Sequence, residues 1–162
     1  MDYSKSIMLY QDEPEYGLLL KLIIIVPPAI LLATSIGLSK AGESSGSLAM
    51  LFEFIFITFL FWVIFPRSFR IYEDHISIKL GGPFAVNTGF DTITSITVTN
   101  RQTLSVNFAT RITKDYVEIV KTKGLSIAIT PKNNAEFVEN ANRSLTQWRN
   151  TRERMNPKKS KL

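Results

Sequence analysis

The spacing of hydrophobic residues changes twice along the chain, and each change marks a different kind of structure. Residues 17–38 and 48–65 are almost continuously apolar. From 67 to 130 apolar residues mostly alternate with polar ones, which is the pattern of strands with one buried face. After Pro131 the apolar residues recur at helical spacing. The pattern predicts an apolar N-terminal part, a β-rich middle and a C-terminal helix.

The two apolar segments predict a transmembrane hairpin. At 1.5 Å per residue the first spans roughly 30 Å, enough for a hydrocarbon core. The second is shorter but rich in aromatic residues. The connection 39–46 is short, polar and rich in Gly and Ser, which favours antiparallel neighbours. Acidic residues, not a basic stretch, precede the first segment, so we interpret it as a retained helix and not a cleaved signal peptide.

The distribution of basic residues predicts the orientation of this hairpin. The connection between the helices carries only Lys40, whereas Arg67 and Arg70 follow the second helix and Lys5 precedes the first. Because Lys and Arg concentrate on the cytoplasmic side, we expect both termini in the cytoplasm and a multi-pass protein of the cell membrane.

Three residues within the apolar segments are candidates for contacts with other membrane helices. Pro27 and Pro28 remove backbone donors and are expected to kink or break the first helix. Glu53 stands five residues into the second segment, a shallow position where a carboxyl group has access to a partner helix or to water.

The alternating region predicts an all-β domain. Turn signals such as Gly81-Gly82-Pro83 and Lys123-Gly124 separate short strands. Strands in such a series are expected to pair as antiparallel hairpins in a sandwich or a partly open barrel. About seven strands are expected, at 68–72, 76–80, 83–87, 92–99, 103–111, 116–121 and 125–130.

One amphipathic helix of about twenty residues is expected to close this sheet structure. Asn133 is a favourable N-cap, and Glu136 follows it three residues later, as in a capping box. The apolar stripe ends at Trp148, which we interpret as a core anchor.

These segments divide the chain into four parts: an N-terminal cytoplasmic segment 1–16, the hairpin 17–65, the β domain 66–150 and a basic tail 151–162. The net charge is +5, and most of the excess lies near the C-terminus. Basic residues beside a membrane favour contact with anionic lipid, although a frayed, solvated terminus is the simpler explanation of the tail. The candidate lipid contacts are Arg67, Arg70, Arg149, Arg152, Arg154, Lys158, Lys159 and Lys161.

The composition excludes several kinds of site. There is no cysteine and only one histidine, His75. Disulfides, cysteine-ligated metals and multi-histidine sites are therefore excluded. Asp74 and His75 are adjacent, yet no motif places a nucleophile near them, and we interpret them as turn residues. We expect no catalytic residues, no cofactor, no metal and no nucleic-acid binding.

The residues of the β domain resemble those of a known group. The segments FRIYEDHISIKLGGPF, FDTITSITV and LSIAITPKNNAEFVENANR resemble bacterial PH-like domain proteins that carry an N-terminal transmembrane hairpin. The resemblance implies a pleckstrin-homology-like fold. It does not imply phosphoinositide binding, because the first hairpin loop, at 72–75, is acidic here.

The expected function is that of a non-enzymatic, membrane-anchored PH-like module that mediates protein–protein interaction or assembly at the cytoplasmic membrane face. Two alternatives stay open: binding of an anionic lipid surface through the basic tail, and an accessory role in a larger membrane complex. The expected partners are membrane lipid and an unidentified protein, with a homo-oligomer left open.

Overall fold

The computed structural model describes residues 6–100 and 105–155. Three helices and eight strands follow one another in the described chain. In order they are β1 (Met8–Asp12), α1 (Leu18–Lys40), α2 (Ser44–Ile64), β2 (Ser68–Tyr72), β3 (His75–Lys79), β4 (Ala85–Gly89), β5 (Ile93–Thr99), β6 (Ser105–Phe108), β7 (Tyr116–Lys121), β8 (Ser126–Ile129) and α3 (Asn134–Met155).

The helices α1 and α2 form the expected hairpin, joined by a tight turn at Gly42, whose φ is +83°. Near this turn, Ser35 and Ser47 each donate a hydrogen bond of 2.9 Å to the other's carbonyl oxygen. The expected break at Pro27 and Pro28 is absent, since α1 continues through both. Prolines are tolerated inside membrane-spanning helices, because neighbouring groups and small local adjustments satisfy the carbonyl groups that lose their donors.

Both helices are long and apolar enough, by length and composition, to cross a membrane. Glu53 lies within α2. Because α2 already begins at Ser44, Glu53 is preceded by nine helical residues and followed by eleven. Its exposed side chain therefore lies near the middle of the helix.

The strands form two four-stranded sheets, in the orders β1-β2-β3-β4 and β5-β7-β8-β6. This fits the sandwich of the sequence analysis, and the two sheets do not form a closed barrel. The expectation of wholly antiparallel pairing is also wrong, because β6 pairs with β8 in parallel. Strand β8 lies between β7 and β6. It pairs antiparallel with β7 and runs in the same direction as β6. The observed strand β6 is shorter than the expected 103–111, part of which lies outside the described residues.

The strand β1 was not predicted. It pairs antiparallel with β2, so that Gln11 lies opposite Arg70 and Asp12 opposite Phe69. The residues 1–16, expected as a separate segment, thus contain an edge strand of the first sheet. The hairpin is inserted between two strands that pair with each other.

The core lies between the two sheets and α3. Its largest buried side chains include Phe69, Phe90 and Phe137, each no more than 1% exposed. Helix α3 begins as predicted: the Glu136 backbone N–H donates to Asn133 Oδ1 at 3.2 Å. Trp148 packs edge-to-face on Phe90 with ring centroids 6.2 Å apart, which supports its role as a core anchor.

The domain has two distinct ends. The hairpin end is where β1 leads into α1 and α2 leads into β2; here the Asn133 backbone N–H donates to Asp12. The far end contains the start of β5, where Arg149 donates to the carbonyl oxygen of Ile93 at 3.0 Å. Helix α3 therefore runs from the hairpin end to the far end.

Candidate functional site at the junction of hairpin and domain

A tyrosine joins the two chain segments that connect the hairpin to the domain. The Tyr16 hydroxyl donates a hydrogen bond of 2.5 Å to the carbonyl oxygen of Pro66. The same ring packs edge-to-face on Phe65, with centroids 6.4 Å apart. Burial raises the pKa of Tyr16, against the opposing effect of the Arg67 charge. The entry and exit of the hairpin are thus held together by one side chain.

Glycines allow the turn between β3 and β4 to touch the end of α2. A Cβ on Gly81 would lie 1.7 Å from the Trp62 carbonyl oxygen, a distance that no side chain can occupy. The neighbouring Gly82 has a φ of +64° and faces the Trp62 ring. The hairpin therefore contacts the first sheet closely at this turn.

The second sheet contacts the start of α1 through buried threonines. The Gly17 backbone N–H donates to the Thr110 carbonyl oxygen at 2.9 Å. The Thr110 hydroxyl, in turn, donates to the Glu15 carbonyl oxygen at 2.7 Å, and its backbone N–H donates to Thr130 Oγ1 at 2.8 Å. Arg111 forms an ion pair with Glu15. Both sheets are thus attached to the hairpin.

These contacts enclose a groove of about 760 Å³ between α1, α2 and the connecting segments, which we call the junction groove. Its walls are mostly apolar, and its polar groups lie at the domain end. Its lining includes Ile24, Pro28, Phe54, Trp62, Tyr16 and Arg67. A second groove of about 690 Å³ separates the start of α1 from β6 and the segment that follows it. Apolar walls of this kind suit hydrocarbon or another helix better than a polar substrate.

The structure distributes the sequence-predicted candidates over several places. Arg67 is exposed in the junction groove, and Arg70 is half-buried on the first sheet. Pro28 is buried in the groove wall, whereas Pro27 is exposed. Glu53 is also exposed but does not line the groove. The candidates therefore do not form one site.

The basic residues of α3 lie toward the far end of the domain. Arg149 donates to the carbonyl oxygens of Ile93 and Thr94, and Arg152 lies 4.9 Å from the centre of the Trp148 ring. Arg154 is exposed. Trp148 follows Asn134 by fourteen positions, so this end lies roughly 20 Å along α3 from the hairpin end. Lys158, Lys159 and Lys161 lie outside the described residues.

Asp74 and His75 lie at the turn between β2 and β3, where His75 is held by stacking and hydrogen bonding. His75 is 2% exposed, and its ring stacks on Tyr72 with centroids 4.4 Å apart. Its Nδ1 is hydrogen-bonded to Asp74. Within residues 6–100 and 105–155, no group of three His, Asp or Glu side chains could hold a metal ion.

Sequence reasoning missed the junction contacts. Tyr16 stands in a segment without periodicity, and Thr110 and Thr130 stand near the ends of predicted strands, so the contacts of all three depend on the fold. The one available signal was Gly81-Gly82, which was interpreted only as a turn.

Comparison with known proteins identifies the domain. Residues 68–142 match the family model of the bacterial PH domain. No curated protein and no solved structure matches the chain. Residues 68–142, which contain β2 to β8 and the first part of α3, are a bacterial PH domain, as the resemblance predicted.

Proposed function

We propose that this protein is a non-enzymatic membrane-anchored module, in which the hairpin holds a PH domain at the cytoplasmic face of the cell membrane and the domain binds another protein there. The family match and the two apolar helices support this role. The basic residues beside Ile64 favour the cytoplasmic orientation.

The observation that carries the proposal is the exposed edge of the first sheet. Strand β1 is an edge strand, and Ile7, Met8 and Leu9 at its start are 64%, 49% and 49% exposed. Proteins usually protect sheet edges with charges, prolines or bulges, because an open edge pairs with any available strand. The pairing of β1 is irregular between Met8 and Tyr10, yet the apolar residues at its start stay exposed. Consecutive apolar residues on such an edge suit an extended partner segment that adds a strand.

The hairpin fixes the position of this edge. Because β1 pairs with β2 and Tyr16 joins both connections, the edge is anchored near the ends of α1 and α2. A partner in the same membrane would meet the edge at a high effective concentration. The expected partner is therefore a membrane protein that offers an extended apolar segment.

The test uses a photo-crosslinking residue at Gln11, which is exposed on β1, in the full chain in native membranes. We expect a discrete crosslinked product that Leu9→Lys abolishes, because a charge on an open edge opposes strand addition. Val98→Lys is the matched control, since Val98 is 43% exposed on β5, an edge strand of the other sheet. A product that persists in Leu9→Lys, or that both variants remove equally, would overturn the edge as the binding site. A product with a second copy of the chain would show self-association.

A second function, accessory subunit of a larger membrane complex, is favoured by Glu53. An exposed carboxyl group near the middle of an apolar helix costs about 2.5–3.5 kcal/mol on insertion scales unless a partner helix accepts it. Glu53→Leu is then expected to remove a co-purifying membrane protein, whereas Ile55→Leu retains it. Unchanged co-purification in Glu53→Leu would count against this role.

A further inference from the structure

One row of polar side chains crosses the outer face of the first sheet. Strand pairing places Gln11 opposite Arg70, Arg70 opposite Ser77, and Ser77 opposite Asn87. Directly opposed residues project from the same face of a sheet. Since the neighbours of Arg70 along β2 are fully buried in the core, this row faces away from the core.

Two polar atoms in this row are buried without a partner in the described part of the chain. They are Nε of Arg70 and Oγ of Ser77. Ser77 is only 1% exposed. Arg70 likewise forms no ion pair within residues 6–100 and 105–155. Buried polar groups are normally hydrogen-bonded, and a buried N–H or hydroxyl without an acceptor is unfavourable. Both atoms would gain from a ligand that brings its own oxygen acceptors.

The charges around the row favour an anion. The row itself contains no carboxylate and offers donors from a guanidinium, a hydroxyl and two amides. Toward the hairpin end, the same face continues to Lys79, which lies opposite Ser68, with Arg67 next in the chain. Toward the far end lie Glu73 and Asp74; Asp74 is hydrogen-bonded to His75. The positive charges therefore lie on the side that faces the hairpin.

We propose that this row binds a phosphate group. The Arg70 guanidinium supplies a planar set of donors for two phosphate oxygens, and the Ser77 hydroxyl and the flanking amides supply donors for the others. A carboxylate would leave several of these donors unused. At 3.3 Å per residue, Arg70 lies about 10 Å along the strand direction from Arg67, so the phosphate can belong to a lipid headgroup or to a soluble compound. The site shares only Gln11 with the β1 edge proposed for strand addition, and its central residues Arg70 and Ser77 lie on β2 and β3.

The experiment uses the full chain in detergent micelles, with inorganic phosphate and short-chain phosphatidic acid as separate probes in calorimetric titrations. We expect the wild-type chain to bind at least one probe. Arg70→Gln should weaken that binding about tenfold or more, because hydrogen bonds to charged groups contribute at least that much. Ser77→Ala should weaken it several-fold. Ser77→Ala also serves if Arg70→Gln fails to fold, because its hydroxyl has no partner to lose.

Arg143→Gln is the matched control. It removes the same charge from an exposed arginine of α3, whose partner is Glu139. Phosphatidic acid binding alone would assign the site to a lipid headgroup, and binding of inorganic phosphate would assign it to soluble phosphate compounds. Three results would overturn the proposal: no binding of either probe to the wild type, unchanged binding in both Arg70→Gln and Ser77→Ala, or an equal loss in Arg143→Gln.

Discussion

The hydroxyl of Tyr16 is expected to stabilise the union of hairpin and domain, and Tyr16→Phe tests this directly. The substitution retains the ring and its contact with Phe65. It removes only the hydrogen bond to the Pro66 carbonyl oxygen. Because Pro66 is buried, that oxygen would lose its partner in a site with limited access to water.

The expected loss follows from the balance between a hydrogen bond and an unsatisfied acceptor. A neutral hydrogen bond contributes about 0.5–1.5 kcal/mol net, and a buried acceptor left without a partner costs about 1–3 kcal/mol. We expect Tyr16→Phe to lower the free energy of unfolding by about 1–3 kcal/mol. Tyr72→Phe is the control, because the Tyr72 ring stacks on His75 without a hydrogen bond from its hydroxyl to a described residue.

The same side chain predicts a pH dependence. Burial raises the pKa of Tyr16 above its ordinary value of 10.0, so the folded protein favours the protonated phenol. This contribution to stability is complete below pH 10.0 and is lost as the pH rises through the raised pKa. Tyr16→Phe should therefore reduce the loss of stability in the alkaline range.

The assay is urea denaturation of the full chain in detergent micelles, followed by circular dichroism at neutral and alkaline pH. We expect a lower midpoint for Tyr16→Phe, with an unchanged slope, and a midpoint near the wild type for Tyr72→Phe. If Tyr16→Phe matches the wild type at neutral pH, the hydrogen bond does not hold the two connections together, and the reasoning is refuted.

Two further predictions concern the junction and α3. Gly81→Ala should disrupt the junction, because the new Cβ would overlap the Trp62 backbone; Gly37→Ala, which meets open space within α1, should leave the thermal midpoint unchanged or higher. Equal midpoints for the two variants would contradict the close approach at Gly81. Asn133→Ala should lower the free energy of unfolding by about 0.5–2 kcal/mol through loss of the α3 N-cap, and the same urea titration measures it. Retention of full stability would show that Asn133 does not cap the helix.

The elements with strong periodicity were predictable from the sequence. The hairpin, seven strands and α3 each have a hydrophobic pattern within their own residues: continuous apolar runs, alternation and helical spacing. The start of α3 was predictable to the residue, because Asn133 and Glu136 satisfy each other across one turn. Trp148 was predictable as a core anchor because it continues the apolar stripe of α3.

Features that depend on distant partners were not predictable. Strand β1 is five residues long, and its pairing depends on β2, which follows the whole hairpin. The parallel pairing of β6 with β8 depends on β8 packing between β7 and β6, an arrangement that no local pattern specifies. Arg70 and Ser77, whose buried atoms have no partner, lie opposite each other because of the register between β2 and β3. The alternation of polar and apolar residues does not determine that register.

Under the proposed membrane anchoring, the position of the hairpin between β1 and β2 couples folding of the first sheet to insertion of both helices. Strand β1 is synthesised first, and Asp12 precedes Ser68 by 56 positions, so at about 5–20 residues per second β1 waits about 3–11 s for its partner. If only one of the two helices crossed the bilayer, β1 and β2 would emerge on opposite sides and could not pair. The first sheet would then lack β1, and the side of β2 that pairs with β1 would be left unpaired. Under the proposed anchoring, this sheet is therefore complete only in a chain whose two helices have both crossed.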